Sequence, residues 1–341
     1  MRAFITGLAG AALTTAERQF VQDAAPWGLI LFKRNVTTPD ALQRLIGEFR
    51  AAVGRQAPIL VDQEGGRVQR LGPPQWPAYP PGAAYGAVFE RDRNAGLRAA
   101  RLGARLIAND LAELGIDVDC APVADVPAAG ADPVIGDRAY GADPAKVAAL
   151  AGAFAAGLTE GGVLPVLKHL PGHGRATADS HQRLPVVTAD QATLDATDFA
   201  AFRPLCGLPL GMTAHVVFTA VDPVAPATTS ANIVKHVIRD SIGFTGLLMS
   251  DDISMGALSG SLSERTRAAI AAGCDVVLHC NGALSEMVEV ASEAPALAGN
   301  AAHRAAAALA ARKASASFDV AASRAELAQL LNNIRPEAGF A

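Results

Sequence analysis

A (β/α)₈ barrel is the fold this sequence predicts, and three observations predict it. Eight short β-rich apolar runs alternate along the chain with segments of helical period. The runs are apolar at consecutive positions (LILF, PILV, DVVL), as expected of parallel strands covered on both faces. Charged and hydrogen-bonding residues stand directly after the runs, and a barrel brings all such positions to one mouth. An open doubly wound sheet shares the first two features. Lys, His and paired Asp directly after buried runs favour the closed form.

In chain order the strands are expected at Arg2–Thr6, Gly28–Phe32, Pro58–Val61, Ile116–Cys120, Leu164–Leu167, Leu208–Thr213, Gly246–Met249 and Asp275–Leu278. Helical character falls between them, at Thr14–Ala25, Pro39–Val53, Asn94–Leu114, Pro144–Glu160, Ala189–Phe202, Ser230–Ser241 and Ser261–Ala272. The Pro- and Gly-rich stretch Gly72–Gly86 reads as a long loop over the mouth, and the Ala-rich stretch Ala283–Ala316 as helix covering the barrel wall. No internal repeat beyond the βα unit is visible. The length suits one barrel of roughly 250 residues with insertions, so residues 1–341 are expected to form a single catalytic domain.

Composition narrows the function classes. Half the residues are apolar and 18% are charged, which permits a large core and carries no mark of disorder. A net charge of −4 and a pI near 6.0, with no basic stripe interleaved with aromatics, argue against a nucleic-acid partner. No apolar run reaches the ~18 to 20 residues of a membrane span. The first sixteen residues imitate a secretory signal but lack a long apolar core, and Arg2–Gly7 reads better as the first strand. Cys120, Cys206, Cys274 and Cys280 lie in or beside apolar runs without CxxC spacing, as reduced core residues would. A cytoplasmic protein without a membrane partner is expected, and a monomer.

Three motifs carry chemistry. VDQEGGRVQRL places Asp62, Glu64, Arg67 and Arg70 after the third strand, where a carboxylate can take two sugar hydroxyls and an arginine another. A surface turn with ion pairs is the plain alternative. KHLPGHGRATADSH, from Lys168 to His181, holds three of the seven histidines. One reading makes His169, His173 and His181 zinc ligands for metal-assisted hydrolysis. In the other, Lys168 and His169 bind hydroxyls at the strand end while a mobile glycine-punctuated loop carries Asp179 and His181 as a dyad. In an extended segment side chains two apart share a face, so Asp179 can orient the His181 ring. The loop composition favours the dyad. LLMSDDISMGAL then sets Asp251 at the end of the seventh strand, aimed at the mouth, with Asp252 turned away by the strand's alternation. A helix cap or a metal site are the plainer readings of this Asp pair.

VDQEGGRVQRL, KHLPGHG followed by DSH, MTAHV and SDDISM, in that order, resemble glycoside hydrolase family 3, and within it the bacterial β-N-acetylglucosaminidases of cell-wall recycling. The likeness runs from GLILFKRN through VIGDRAYGADP to AGCDVVLHCN and is to the single-domain members. It implies a barrel with Asp251 as nucleophile, the Asp179–His181 dyad as general acid/base, and sugar-binding roles for Asp62, Arg70, Arg138, Lys168 and His169. The implied substrate is a small carbohydrate or muropeptide, N-acetylglucosamine β-linked to 1,6-anhydro-N-acetylmuramic acid. Cleavage would run by two displacements with retained configuration and without metal or organic cofactor. Because a histidine adds no second negative charge beside an incoming anion, phosphorolysis is the alternative outcome on the same scaffold.

Overall fold

In the computed structural model, which describes residues 1–332, eight parallel strands close into a barrel. They are β1 (Arg2–Thr6), β2 (Pro26–Leu31), β3 (Ile59–Val61), β4 (Val118–Asp119), β5 (Leu164–Leu170), β6 (Leu210–Thr213), β7 (Leu247–Asp252) and β8 (Val276–His279), each hydrogen-bonded to its sequence neighbours, with β8 against β1. Each of the eight expected strands is present, and the (β/α)₈ reading is correct.

The alternation of a pleated strand decides what the barrel contains. Leu60, Val166, Met249 and Leu278 point inward and pack with Ile5, Ile30 and Met212 into an interior core. Leu31, Ile59, Leu167, Leu248 and Val277 belong instead to the layer between strands and helices. Each inward series therefore ends, one step further along, at the C-terminal mouth.

Helix boundaries follow their capping residues. α1 (Thr15–Ala24) starts at a Thr14/Glu17 capping box, and α2 (Pro39–Val53) at Thr38 with Pro39 in its first turn. After α3 (Gly82–Arg91) and α4 (Arg93–Glu113), α5 (Pro144–Glu160) begins at Asp143, whose side chain accepts from the Lys146 amide. The short α6 (Gln191–Ala196) and a π-helical stretch at Ile233–Ser241 come next. α7 (Leu262–Ala272) carries a Ser261/Glu264 capping box and is followed by α8 (Leu284–Glu293), α9 (Gly299–Ala310) and α10 (Val320–Asn332). No helix among the described residues is long and apolar enough to cross a membrane.

Two expectations need correction. Gly72–Gly86 is a loop only in its first part, because α3 begins at Gly82. Gly82 and Gly86 are close-contact glycines: a Cβ would stand 2.2 Å from the Arg138 carbonyl oxygen and 2.0 Å from that of Tyr140. They let α3 lie against the segment that carries Arg138. A repeat beyond the βα unit also emerges at the end of the barrel opposite the mouth. Arg50 and the Ile59 amide both donate to Asp117; Arg239 and the Leu248 amide both donate to Asp275. Each arginine lies nine residues before the anchored strand residue, and three residues beyond it stands a mouth carboxylate, Asp62 in one half and Asp251 in the other.

Candidate active site

One step beyond the inward core residues lie Phe32, Asp62, Lys168, Asp251 and Cys280, which line a cavity of about 440 Å³ at the barrel mouth. Arg70, Arg138, His169, Asp179 and His181 close its sides. All eight residues expected to form a site therefore converge on one cavity, from loops and strand ends as far apart in sequence as Asp62 and Asp251.

On one wall is a buried charge network. Lys168, 2% exposed, donates to Asp62 Oδ1 at 2.9 Å and lies 2.6 Å from Glu64 Oε1. Arg138 grips Glu64 with two bonds of 2.8 Å, and Arg70 donates to the other oxygen of Asp62 at 2.9 Å. Burial pulls the Glu64 pKa upward, but Arg138 and Lys168 outweigh it and leave it at about 2. Asp62 is likewise lowered: desolvation opposes, and Lys168 and Arg70 prevail. Both carboxylates stay ionised at neutral pH. The guanidinium groups of Arg34 and Arg70 both lie over the Phe32 ring, 4.8 and 5.1 Å from its centre. Beneath this wall desolvation raises the pKa of the buried Asp119 well above its ordinary value, against the Gln63 amide and Lys168, which lower it.

The KHLPGHG segment supplies the next wall. His169 Nδ1 donates to Asp125 Oδ2 at 2.7 Å, which leaves Nε2 as the free nitrogen. His173 packs edge-on against His169, and its Nε2 meets Ser180 Oγ at 3.0 Å. Desolvation, reinforced by His169, lowers the His173 pKa to about 4, so its ring is neutral. Nδ1 of His181 donates to Asp179 Oδ1 at 2.7 Å, and the same oxygen accepts the His181 amide at 2.9 Å. The dyad contact exists, but a turn at Asp179 makes it rather than an extended segment. Gly174 is a close-contact position: a Cβ there would stand 2.2 Å from the Val126 carbonyl oxygen, and the Gly174 and Ala176 carbonyls bond the Ala128 and Asp132 amides. The three histidines of the zinc reading thus serve three different partners. Among the described residues no group of three or more His, Cys, Asp or Glu is arranged to hold a metal ion.

Asp251 stands at the end of β7 with one carboxylate oxygen accepting the Asp252 amide at 2.8 Å. Burial raises its pKa, while His215, His169 and that amide lower it further, and the net shift is downward. It is an ionised carboxylate in a cavity. Asp252 is turned to other duties: Ser254 donates to it through amide and hydroxyl, and so does the Cys280 amide. His215 Nε2 donates to the Asp252 carbonyl at 2.9 Å, leaving Nδ1 to accept from the Thr228 hydroxyl at 2.7 Å. The sequence motifs placed Glu64 beside Asp62 without giving it a role, and did not single out Asp125 or His215. Each was visible as a polar residue after a buried run, but none carried a sign of its partner.

The mouth thus joins eight strand ends, an ionised carboxylate on one of them and a carboxylate–histidine pair facing the same cavity. The profile of the glycosyl hydrolase family 3 N-terminal domain matches residues 6–309. The chain belongs to glycoside hydrolase family 3. It is 40% identical to a β-hexosaminidase of Aromatoleum aromaticum over 278 residues, covering 80% of this chain and 78% of that one. It superposes on NagZ from Neisseria gonorrhoeae, solved in complex with N-trifluoroacetyl-D-glucosamine, with a TM-score of 0.86 and 34% identity over 98% of each chain. A zinc complex of the same neisserial protein aligns with a TM-score of 0.84 and 33% identity over 97% of each chain. As a member of the family the chain is a glycoside hydrolase, and its strand-end cavity sits where barrel enzymes hold their chemistry.

Proposed function

We propose that this chain is a retaining exo-β-N-acetylglucosaminidase that cleaves terminal N-acetylglucosamine from peptidoglycan fragments, N-acetylglucosaminyl-1,6-anhydro-N-acetylmuramic acid with or without peptide. The observation that carries the reading is Asp251: a carboxylate with a lowered pKa, aimed into a cavity it shares with the Asp179–His181 pair. Asp251 attacks the anomeric carbon while His181 Nε2 protonates the departing oxygen, giving a glycosyl ester. His181 then takes a proton from water, which opens the ester with configuration retained. Asp62, Arg70, Arg138, Lys168 and His169 Nε2 bind the sugar hydroxyls and acetamido group. The β-hexosaminidase relative and the neisserial structure with an N-acylated glucosamine support the choice of sugar.

A 5-fluoro N-acetylglucosaminyl inactivator tests the mechanism, because participation of the substrate's own acetamido group would leave no ester on the enzyme. The expected result is one sugar attached to the peptide at Asp251. Inactivation without a label, or a label on Asp252, would refute it.

A further inference from the structure

His181 has little of its own to hold it in place. Its side chain is 66% exposed, and among the described residues its polar partner is Asp179, which is on the same turn. The turn itself is bound to a different catalytic loop. The Ala257 amide donates to the Ser180 carbonyl at 3.1 Å and the Gly256 amide to the His181 carbonyl at 3.2 Å. Both donors come from the loop that follows β7, the strand whose end carries Asp251. That loop is rigid at its root, where the Asp252 carboxylate holds Ser254 and Cys280 and the Met255 amide bonds the Asp252 carbonyl. From below, the buried Ser180 hydroxyl meets His173 Nε2 at 3.0 Å.

Gly256 makes the junction possible. A Cβ built there would stand 2.9 Å from the carbonyl oxygens of both His181 and Gln182. These are backbone atoms, so a methyl group can be accommodated only by moving the turn, by roughly half an ångström to reach ordinary contact.

We infer that Gly256, together with the His173–Ser180 contact, is a positioning element that docks the acid/base turn on the nucleophile loop and so sets His181 against Asp251. The inference rests on the roles given above to those two residues. Gly256 touches no reacting atom; it acts through His181. The geometry of the proton donor is thereby written into the segment that carries the nucleophile.

Gly256→Ala is the test, read on two substrates. A methyl β-N-acetylglucosaminide needs an acid at its leaving oxygen, whereas a dinitrophenyl glycoside departs without one. Displacements approaching an ångström cost up to about 10²-fold, so kcat/KM on the methyl glycoside should fall by about 10- to 100-fold. On the dinitrophenyl glycoside it should fall by less than about threefold, which also reports an intact barrel and nucleophile. Ser180→Ala, which adds no atom, should give a smaller loss with the same substrate contrast. In a His181→Ala background Gly256→Ala should have no further effect, since the group it positions is gone. Equal slowing of both substrates, or a full additional loss in the His181→Ala background, would overturn the dock while His181→Ala alone still shows the leaving-group contrast. Absence of that contrast in His181→Ala itself would overturn the assignment of His181, and this inference with it.

Discussion

Replacing Lys168 by methionine is the sharpest perturbation of the sugar-facing wall, because it removes one charge and keeps most of the volume. Lys168 is 2% exposed and holds two carboxylates, Asp62 at 2.9 Å and Glu64 at 2.6 Å. Breaking a buried ion pair by deleting one partner costs about 3 to 5 kcal/mol, since the other charge remains desolvated. Arg70 and Arg138 stay in place and soften the loss, which puts Lys168→Met near the lower figure, about 3 kcal/mol at pH 7. The deficit should also depend on pH in a definite sense. Folding lowers the pKa of both carboxylates, so their contribution to stability is complete above the unfolded carboxylate range near pH 4. It is lost as pH falls through the folded values, about 2 for Glu64 and lower still for Asp62. Without Lys168 both values rise back, so the variant has less of this contribution to lose. Its deficit is therefore largest at neutral pH and narrows below about pH 4. Urea unfolding followed by circular dichroism from pH 7 to pH 3 measures it. A deficit under about 1 kcal/mol at pH 7, or one that does not change with pH, would refute the assignment of the network as a coupled buried cluster.

Two further outcomes follow from the same geometry. Because Asp251 is held below its ordinary carboxylate pKa, kcat/KM on a dinitrophenyl glycoside, which needs no general acid, should hold to below about pH 4 before its acidic limb appears. An inflection near pH 5 or higher would mean that Asp251 is not the group titrating. Since His169, His173 and His181 bond Asp125, Ser180 and Asp179 respectively, exhaustive chelation should leave turnover unchanged. Loss of activity restored by zinc would revive the metal reading.

Much of the site was legible before any contact was known, for a reason visible in particular strands. Leu60 leads by alternation to Asp62, Val166 to Lys168, Met249 to Asp251. Once those runs are read as barrel strands, the parity of each run names the side chain that reaches the mouth. Asp252 lines the cavity as well, and it is its bonds to Ser254 and the Cys280 amide that distinguish it from Asp251. Helix limits were equally local, with Thr14, Thr38, Asp143 and Ser261 capping the segments they precede.

What the sequence by itself determined is thus the fold, the face each strand turns inward and the chemical types at the mouth. These follow from backbone stereochemistry within a few residues. Tertiary structure alone decided the pairings: Glu64 with Arg138 across 74 positions, Asp62 with Lys168 across 106, His169 with Asp125 across 44. It also decided the meaning of glycine. Gly82, Gly86 and Gly174 read as loop glycines in the sequence, yet they mark places where two backbones approach too closely for a Cβ. The π-helical stretch at Ile233–Ser241 and the turn that joins Asp179 to His181 belong to the same class. Closing eight strands brings remote strand ends within hydrogen-bond reach of one another, and no periodicity along the chain encodes that distance.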